Sequence, residues 1–278
     1  MKRLILLFTL ASLNAFAQAR DWNDPVEPFR IIGSIYYVGA KDVTSYLITT
    51  PQGAILIDGG LPETAAQIER SIAKLGFKLS DVKLLLNSHA HYDHAGGLKE
   101  LKSKTAAKMV ASERDRTELE SGHSPEFTGE ASHFPPVKVD RAIADGDTVS
   151  LGGSVLTAHI TPGHTKGCTT WTMPVEEKGA KHSVVFYCST SIPGYQLVPR
   201  PVYPGQIDDY RSSFRKLKTL DADVFLGAHA SFFNMLEKRE KLGGGTNPFV
   251  VPGEFQSYVD KSQQQFENEL AKQKSAVH

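Results

Sequence analysis

The sequence predicts an α/β domain in which helices cover β-sheets. Short apolar runs of strand length alternate with helical segments in both halves of the chain, which favours a layered arrangement of sheets and helices. No internal repeat and no linker rich in glycine or serine divides the chain. Hydrophobic residues make up 40% and charged residues 22% of the 278 positions, a balance typical of globular proteins. We therefore expect a single domain over residues 18–278.

The charge balance excludes several classes of partner. Lysine and arginine together number 31, and aspartate and glutamate also number 31. A neutral chain offers no electrostatic footprint for nucleic acid or for an anionic membrane surface. The two cysteines exclude a small domain held together by many disulfides. We expect a monomer whose partner is a small-molecule substrate.

The first seventeen residues have the pattern of a secretory signal peptide. Lys2 and Arg3 precede an apolar run at residues 4–11, and Ala15-Phe16-Ala17 supplies a cleavage site of the A-x-A type. The run is too short for a membrane span, which takes about 20 residues. Residues 1–17 are thus expected to be removed, leaving a periplasmic or secreted protein without a membrane anchor. Oxidising conditions there permit a disulfide between the two cysteines, which the sequence alone does not decide.

The first half begins with strands and then alternates strands with helices. Apolar runs predict strands at residues 31–38, 44–49, 53–58, 82–87 and 108–111. Helices are predicted at residues 62–74, 98–104 and 113–120. Gly59-Gly60 breaks the third strand, Pro62 opens the first helix and Gly76 ends it. Residues 122–136 are polar and contain three prolines, so they are predicted to form an exposed loop.

The second half of the chain also contains strand-length apolar runs and helical segments. Strands are predicted at residues 148–151, 154–160, 168–173, 183–188 and 224–227. A helix is predicted at residues 206–220, because acidic residues stand at its start and lysines at its end, as the helix dipole favours. A polar helix at residues 255–274 closes the chain.

A cluster of histidines indicates a metal-binding site. His89, His91, Asp93 and His94 fall within six residues, directly after an apolar strand. Alternate residues of an extended segment share a side, so His89 and His91 can face one ion. Asp93 and His94 lie further around the loop and can face a second point. Imidazole and carboxylate are donors that suit zinc, so this segment predicts a metal site rather than a polar surface loop.

Two further histidines stand in matching settings. His164 lies in a Thr-Pro-Gly-His-Thr loop after a predicted strand, and His229 follows the last predicted strand. Functional groups of α/β folds gather on loops beyond strand ends. The six donors divide into two sets of three, each with an open position for water, as in catalytic zinc sites. The remaining histidines are expected to be structural or solvated; they are His123, His133, His159, His182 and His278.

The run His89-x-His91-x-Asp93-His94 resembles the signature of the metallo-β-lactamase superfamily, and within it the pattern is most similar to subclass B3. This resemblance implies a four-layer αβ/βα sandwich of two similar halves with two zinc ions in the groove between them. It also implies which residues hold each ion. The first zinc would be bound by His89, His91 and His164, and the second by Asp93, His94 and His229.

The end of the strand at residues 183–188 separates relatives within the superfamily. Glyoxalase II and lactonases carry a metal-bridging aspartate there, whereas residues 185–195 contain no acidic residue. The spacing of Ser189, Ser191 and Tyr195 resembles the B3 version, although an aspartate commonly precedes that first serine and Cys188 stands there instead. A shift of one residue would make Cys188 a zinc ligand. Alternatively, Cys188 and Cys168 are small buried hydrophobic residues.

The resemblance implies a zinc-dependent β-lactamase that hydrolyses the lactam amide with a metal-bound hydroxide, because zinc lowers the pKa of bound water to about 7. Ser189 and Ser191 would hydrogen-bond the carboxylate of the drug, or act only as turn residues. Asp93 and Tyr195 are the candidate catalytic residues, Tyr195 through the substrate's carbonyl oxygen. Asp58 is predicted to order the site or its turn rather than to bind metal.

Two other functions remain open from the sequence. An exported hydrolase of lactones or thioesters could use the same fold and the same ligands. A non-catalytic zinc-binding protein is disfavoured, because structural zinc sites have closed ligand sets.

Overall fold

The computed structural model describes residues 21–277, and the predicted signal peptide lies outside this range. Two β-sheets lie at the centre of the molecule, one of seven strands and one of five. Helices pack on their outer faces, which confirms the predicted α/β fold with its four-layer αβ/βα sandwich. Within residues 21–277, none of the helices combines the length and apolar character needed to cross a bilayer.

The seven-stranded sheet follows chain order from β1 to β7. Its strands are β1 Phe29–Ile32, β2 Ile35–Tyr37, β3 Tyr46–Thr50, β4 Gly53–Ile57, β5 Val82–Leu86, β6 Lys108–Ser112 and β7 Arg141–Ile143. Strands β1 to β4 are antiparallel, whereas β4 to β7 are parallel. Because parallel strands end at the same edge, the segments after β4, β5 and β6 meet there.

The five-stranded sheet has the order β12-β11-β10-β9-β8. Its strands are β8 Thr148–Leu151, β9 Ser154–Ile160, β10 Thr169–Glu177, β11 Ala180–Tyr187 and β12 Val224–Gly227. β11 and β12 run parallel, so the segments that follow them, at residues 188–195 and 228–229, leave the sheet at one edge. The loop between β9 and β10 begins at the same edge, so both sheets bring loops to one side of the molecule.

The helices cover both sheets. They are α1 Thr64–Lys74, α2 Tyr92–Ala95, α3 Leu98–Thr105, α4 Arg116–Ser121, α5 Gln206–Leu217, α6 Met235–Glu240 and α7 Glu254–Ala276. Helix α1 buries Ile68 and Ile72 against the seven-stranded sheet, and α5 and α7 bring Phe214 and Phe266 into contact at a centroid distance of 5.6 Å.

Alternating side chains of the inner strands of the seven-stranded sheet contribute to two cores. In β3, Tyr46 and Ile48 belong to the core between the sheets, whereas Leu47 packs with α1 in the outer core. Successive strand residues point to opposite faces, so a strand covered on both faces is apolar throughout. Strands β2 to β6 therefore contribute to both cores, and the sheets cannot separate without exposing apolar surface.

The structure corrects several sequence predictions. The predicted strand at residues 31–38 is two strands, because Gly33 adopts a φ of +51° and turns the chain between them. Strand β7 and helix α6 were missed, since each is too short to show a period. Strands β10 and β11 pair over 169–177 and 180–187, longer than predicted. Residues 122–136 are not simply exposed, because Ser124 is fully buried and Phe134 is only 5% exposed.

Trp171 on β10 tests the core between the sheets. It is fully buried, and its indole nitrogen donates to the carbonyl oxygen of Asn87 over 3.3 Å. We expect Trp171→Ala to lower the free energy of unfolding by about 3–5 kcal/mol, because it leaves a large cavity. Denaturant unfolding of the full chain measures this loss. As a control, Val155→Ala on the exposed part of β9 should change it by less than about 0.5 kcal/mol; equal effects would contradict the assignment of this core.

Candidate metal centre

The histidine segment lies at the edge where the parallel strands end. β5 stops at Leu86, residues 87–91 continue in extended form, and His91 precedes helix α2, which carries Asp93 and His94. Asp58, just after β4, accepts hydrogen bonds from the Ser88 amide at 2.7 Å and from its hydroxyl at 2.6 Å. The end of β4 thus fixes the start of the histidine segment.

Gly97 serves close packing rather than an unusual backbone conformation. A Cβ on Gly97 would lie 2.3 Å from the carbonyl oxygen of Gly59, far inside contact distance. The amide of Gly59 donates to the carbonyl of His94 over 2.8 Å. The absence of a side chain therefore lets α2 lie directly on the turn after β4, which holds His94 in place.

The first predicted donor set is brought together by the fold. Ligand atoms of His89, His91 and His164 all lie within 4.8 Å of one another, and the three side chains are buried. His89 and His91 come from the seven-stranded sheet, whereas His164 comes from the loop between β9 and β10 of the other sheet. The set exists only when both halves of the molecule are in place.

Hydrogen bonds determine which ring nitrogen of His89 and of His164 stays free to bind a metal. Nδ1 of His164 lies 2.9 Å from the carbonyl oxygen of Ser191, to which it donates. Nδ1 of His89 lies 2.9 Å from the Ser88 hydroxyl, which itself donates to Asp58 and so accepts from the ring. In both rings the proton therefore sits on Nδ1, and Nε2 keeps its lone pair for a metal.

His91 is held from the opposite side. Its Nε2 lies 3.4 Å from the hydroxyl of Tyr195 and 3.7 Å from a carboxylate oxygen of Glu126. Nδ1 is accordingly the nitrogen left for a metal. Phe127 packs on the same ring at a centroid distance of 4.7 Å.

The second predicted set is tighter. Nε2 of His94 lies 3.3 Å from Nε2 of His229 and 3.4 Å from Oδ2 of Asp93, and the latter two atoms are 3.6 Å apart. Zinc bonds to nitrogen and oxygen of about 2.0–2.2 Å place the ligands of a tetrahedron about 3.3–3.6 Å apart. The three donor atoms therefore already stand at the spacing that a tetrahedral ion requires.

Carboxylates support the outer faces of this second set. Oδ2 of Asp42 lies 3.0 Å from Nδ1 of His229, and Oδ2 of Asp58 lies 3.5 Å from Nδ1 of His94. A carboxylate behind a ligating imidazole fixes its orientation and raises its basicity. Asp58, predicted to order the site or its turn, occupies the turn after β4 with a φ of +62° and contacts Ser88 and Nδ1 of His94.

The two sets adjoin each other. His89 also brings a ligand atom within 4.8 Å of those of Asp93 and His94. Its ring lies 4.2 Å from that of His94, centroid to centroid. Two donor sets at this separation indicate a dinuclear metal centre.

The two sets differ in protonation. Burial lowers the pKa of His91 to about 3 and those of His89 and His164 well below their usual value. Burial also acts against protonation of His94, but the carboxylates of Asp93 and Asp58 outweigh it and raise the pKa of His94 to about 10. Without metal, the first set is neutral near pH 7, whereas the second carries a proton on His94.

The second set is also the more accessible one. The side chains of His229 and Asp93 are 18% and 9% exposed, compared with 2% for His91. Trp22 contacts the His229 ring edge-on at 5.8 Å, and a cleft of about 460 Å³ beside it is lined by Trp22, Lys41 and Asp42. The second set is therefore the more exposed of the two.

The remaining candidate residues surround the first set. Ser189 is buried and accepts a hydrogen bond from the amide of Ser191, the geometry of a serine turn, whereas Ser191 is exposed. Tyr195 is 4% exposed, and its hydroxyl donates to the carbonyl of His164 over 3.1 Å. Tyr195 thus positions His91 and His164. The contacts of Tyr195, Ser189 and Ser191 with substrate stay predictions.

The cysteines form a disulfide between Cys168 and Cys188. The alternative that Cys188 is a metal ligand is therefore wrong, because its sulfur is bonded to another sulfur and no thiolate is present. The bridge lies beneath the site, with Sγ of Cys188 3.6 Å from Nδ1 of His89. It joins the loop that carries His164 to the end of β11.

Sequence reasoning missed Asp42 and Glu126. Asp42 follows β2 in a short turn, and its partner His229 lies 187 positions later, so no local motif connects them. Glu126 lies in the loop predicted to be exposed, yet its side chain is 3% exposed, and burial raises its pKa to about 7. Only the folded chain reveals either residue.

Comparison with known proteins identifies the family. A sequence profile described as the metallo-beta-lactamase superfamily matches residues 38–229. The match covers more than half of the chain and includes all six predicted ligands. The chain therefore belongs to the metallo-beta-lactamase superfamily.

Comparison with solved structures shows which members of the superfamily this chain resembles. BJP-1, a subclass B3 metallo-beta-lactamase of Bradyrhizobium japonicum, is 46% identical with a TM-score of 0.90; the match covers 93% of this chain and 99% of that one. FEZ-1 from Legionella gormanii is 44% identical with a TM-score of 0.87; the match covers 91% and 98%. The predicted resemblance to subclass B3 is confirmed as a similarity of fold and sequence.

Curated relatives point to another activity. A hydroxyacylglutathione hydrolase of Hyphomonas neptunium is 30% identical over 208 residues, which are 72% of this chain and 70% of that protein. One from Rhodospirillum rubrum is 27% identical over 60% of this chain, and the chain spans about half of its length, 54%. The solved structures and the curated relatives both support the assignment of this chain as a metallo-hydrolase.

The protonation difference predicts distinct pH dependences of metal binding. In His164→Ala, which keeps the second set intact, binding must displace the proton on His94, so the logarithm of Kd should fall by about one per pH unit between pH 6 and 8. In His229→Ala, which keeps the first set, Kd should be nearly constant over that range. Zinc titration with a competing chelator measures both, and identical slopes would contradict the assigned protonation.

Asp42 tests the support of the second set. We expect Asp42→Asn to weaken metal binding there by about 10- to 100-fold, because His229 loses the carboxylate that orients it. The exposed Asp24, whose carboxylate lies 3.8 Å from Lys41, provides the control. Asp24→Asn should leave the affinity within about twofold, since a surface ion pair contributes little. Measured in the His164→Ala background, equal effects of the two substitutions would refute this role for Asp42.

Proposed function

We propose that this protein is a zinc-dependent β-lactamase that hydrolyses the amide of β-lactam antibiotics. The end of β11 carries the proposal. Where the resemblance places a metal-bridging aspartate in glyoxalase II, this chain has Cys188 in a disulfide, followed by Ser189 and Ser191. The 44–46% identity to subclass B3 enzymes over more than nine tenths of the chain supports the same conclusion.

The donor chemistry supports two zinc ions as the cofactors. Five imidazoles and one carboxylate are borderline donors that suit zinc better than magnesium or calcium, which prefer all-oxygen sites. His89, His91 and His164 would hold the first ion, and Asp93, His94 and His229 the second. Two zinc ions held there would lower the pKa of a bound water to about 7 and would polarise the carbonyl group of the substrate.

The chain's own residues orient and protect this centre. Asp42 and the Ser191 carbonyl hold His229 and His164 so that each presents one free nitrogen. Burial keeps His91 neutral, since its pKa lies at about 3. Asp93 is assigned as the catalytic carboxylate because it is the carboxylate of the more exposed set.

Substrate contacts are assigned to the segment after β11. Ser191 is exposed beside His164, with its hydroxyl 3.4 Å from Nδ1 of that ring, so it can donate to the carboxylate of a β-lactam. Ser189 lies 3.1 Å from the Ser191 hydroxyl and extends the same donor pair. Tyr195 lies behind them and would reach the carbonyl oxygen only by leaving its bond to His164.

We further propose export and action as a monomer. The signal-peptide pattern at residues 1–17 and the Cys168–Cys188 disulfide both fit an oxidising compartment such as the periplasm. The partner is a small-molecule substrate.

A thioester or lactone hydrolase is the second candidate. The 30% identity to a hydroxyacylglutathione hydrolase favours it. Such substrates present the same electrophilic carbonyl to the same two donor sets, so the metal centre alone does not separate the two activities.

Hydrolysis assays separate these functions. We expect the mature protein to hydrolyse nitrocefin and imipenem in the presence of zinc, to lose activity with a chelator and to regain it when zinc is restored. A thioester and a lactone should be poor substrates. A zinc-loaded protein inert on both lactams but active on the thioester would replace the proposal with the second candidate.

His91→Ala tests the ligand assignment behind this activity. The variant should fold but lose more than about a hundredfold in kcat/KM, because removal of a ligand exceeds the effect of removing its support. His182→Ala is the control, since His182 lies on β11 with its ring 3.7 Å from Asp223 and outside both donor sets. Near-full activity of His91→Ala with unchanged zinc content would rule out the assigned ligands.

A further inference from the structure

Asp115 is a buried carboxylate outside both donor sets. It ends the 3₁₀ turn at residues 113–115 that follows β6, and it is 2% exposed. Its Oδ2 accepts hydrogen bonds from the amide of Ala90 at 3.1 Å and from the hydroxyl of Thr165 at 2.9 Å. Its Oδ1 accepts one from the amide of Gly167 at 2.7 Å. All three donors come from other segments of the chain.

These donors flank the first donor set. Ala90 stands between His89 and His91, and Thr165 directly follows His164. The two loops leave different sheets, the Ala90 loop after β5 and the Thr165 loop after β9. One carboxylate therefore joins the two halves of the molecule at the point where their histidines meet.

The packing around Asp115 leaves little freedom. A Cβ on Gly167 would lie 2.6 Å from Cγ of Asp115, so the loop approaches the carboxylate as closely as a backbone can. Two further links, the Thr169 amide on the Ser88 carbonyl and the Cys168–Cys188 disulfide, join the same regions. Both act at Ser88 and His89, and neither contacts Ala90 or Thr165.

We propose that Asp115 is a positioning residue that holds the two loops of the first donor set in register for metal binding. This inference rests on the ligand assignment made under the proposed function. A carboxylate accepts at both oxygens, as the three donors require. An asparagine has one accepting oxygen, and its NH₂ group would face the amide of either Gly167 or Ala90, so Asp115→Asn must lose at least one of these two hydrogen bonds.

The effect should be confined to one site. Asp115 contacts segments that carry His89, His91 and His164, whereas the second set is held by Asp42, Asp58 and α2. A general loss of stability would weaken both sets alike. A positioning role predicts weaker binding at the first set alone.

Zinc affinity of single-site variants tests this. In His229→Ala, which retains the first set, adding Asp115→Asn should raise the zinc Kd by about 10- to 100-fold. In His164→Ala, which retains the second set, the same substitution should change Kd by less than about threefold. Chelator competition measures both values, and thermal unfolding of the metal-free proteins checks that each variant folds.

Asp140→Asn is the matched control. Its carboxylate accepts a hydrogen bond from the amide of Met109 on β6 over 2.8 Å. Like Asp115 it lies beside β6, but it contacts neither histidine loop. It should leave both affinities within about threefold. If Asp115→Asn fails to fold, Thr165→Val replaces it, since this variant removes one donor and keeps the carboxylate; a rise of about three- to tenfold in Kd at the first set is then expected.

Three results would overturn the proposal. One is an unchanged first-set affinity in folded Asp115→Asn. Another is an equal loss at both sets, which would make Asp115 a general stabilising residue. The third is the absence of zinc binding to the first set of the parent chain, which would remove the basis of the proposal. Because the measurement is of metal affinity, a parent that binds zinc but does not open β-lactams would refute the proposed function without affecting this inference.

Discussion

The arrangement of this molecule depends on gathering five imidazoles and a carboxylate, all but His229 buried, while keeping the metal-facing atom of each available. Buried polar groups need partners, and an imidazole whose partner occupies the wrong nitrogen offers no lone pair to a metal. The fold meets this by bonding the outer nitrogens: the Ser191 carbonyl takes that of His164, the Ser88 hydroxyl that of His89 and Asp42 that of His229. Much of the loop structure at this edge serves those contacts.

The two-sheet architecture explains how such a cluster can be built. Parallel strands β4 to β6 end beside one another, and β11 and β12 end on the facing sheet. His89, His164 and His229 each lie within four residues of the end of a buried strand, so the cores set their positions. Asp58 at the end of β4 adopts a left-handed conformation, φ +62°, and its carboxylate in turn fixes Ser88. The strain of that one residue is offset by the hydrogen bonds it permits.

The sequence allowed prediction of what is encoded locally. The spacing of His89, His91, Asp93 and His94 indicated two facing donor pairs, and apolar runs located strands such as β8, β9 and β12 at their observed bounds. Contacts between distant segments were not accessible in this way. Asp42 meets His229 across 187 positions, and Asp115 meets Gly167 across 52, in sequence contexts that resemble ordinary turns. The disulfide likewise required the folded distance between Cys168 and Cys188, because two cysteines alone do not specify whether they pair.

The origin of the ligands has a consequence for the lifetime of the protein. Each donor set combines residues from the segment 89–94 with a histidine from the second half of the chain, so an unfolded chain assembles neither set. A cation that binds only the folded form stabilises it by mass action, in proportion to the logarithm of its concentration over Kd. The folded population thus follows the supply of metal, so scarcity of the ion would shorten the survival of the chain as well as silence its chemistry.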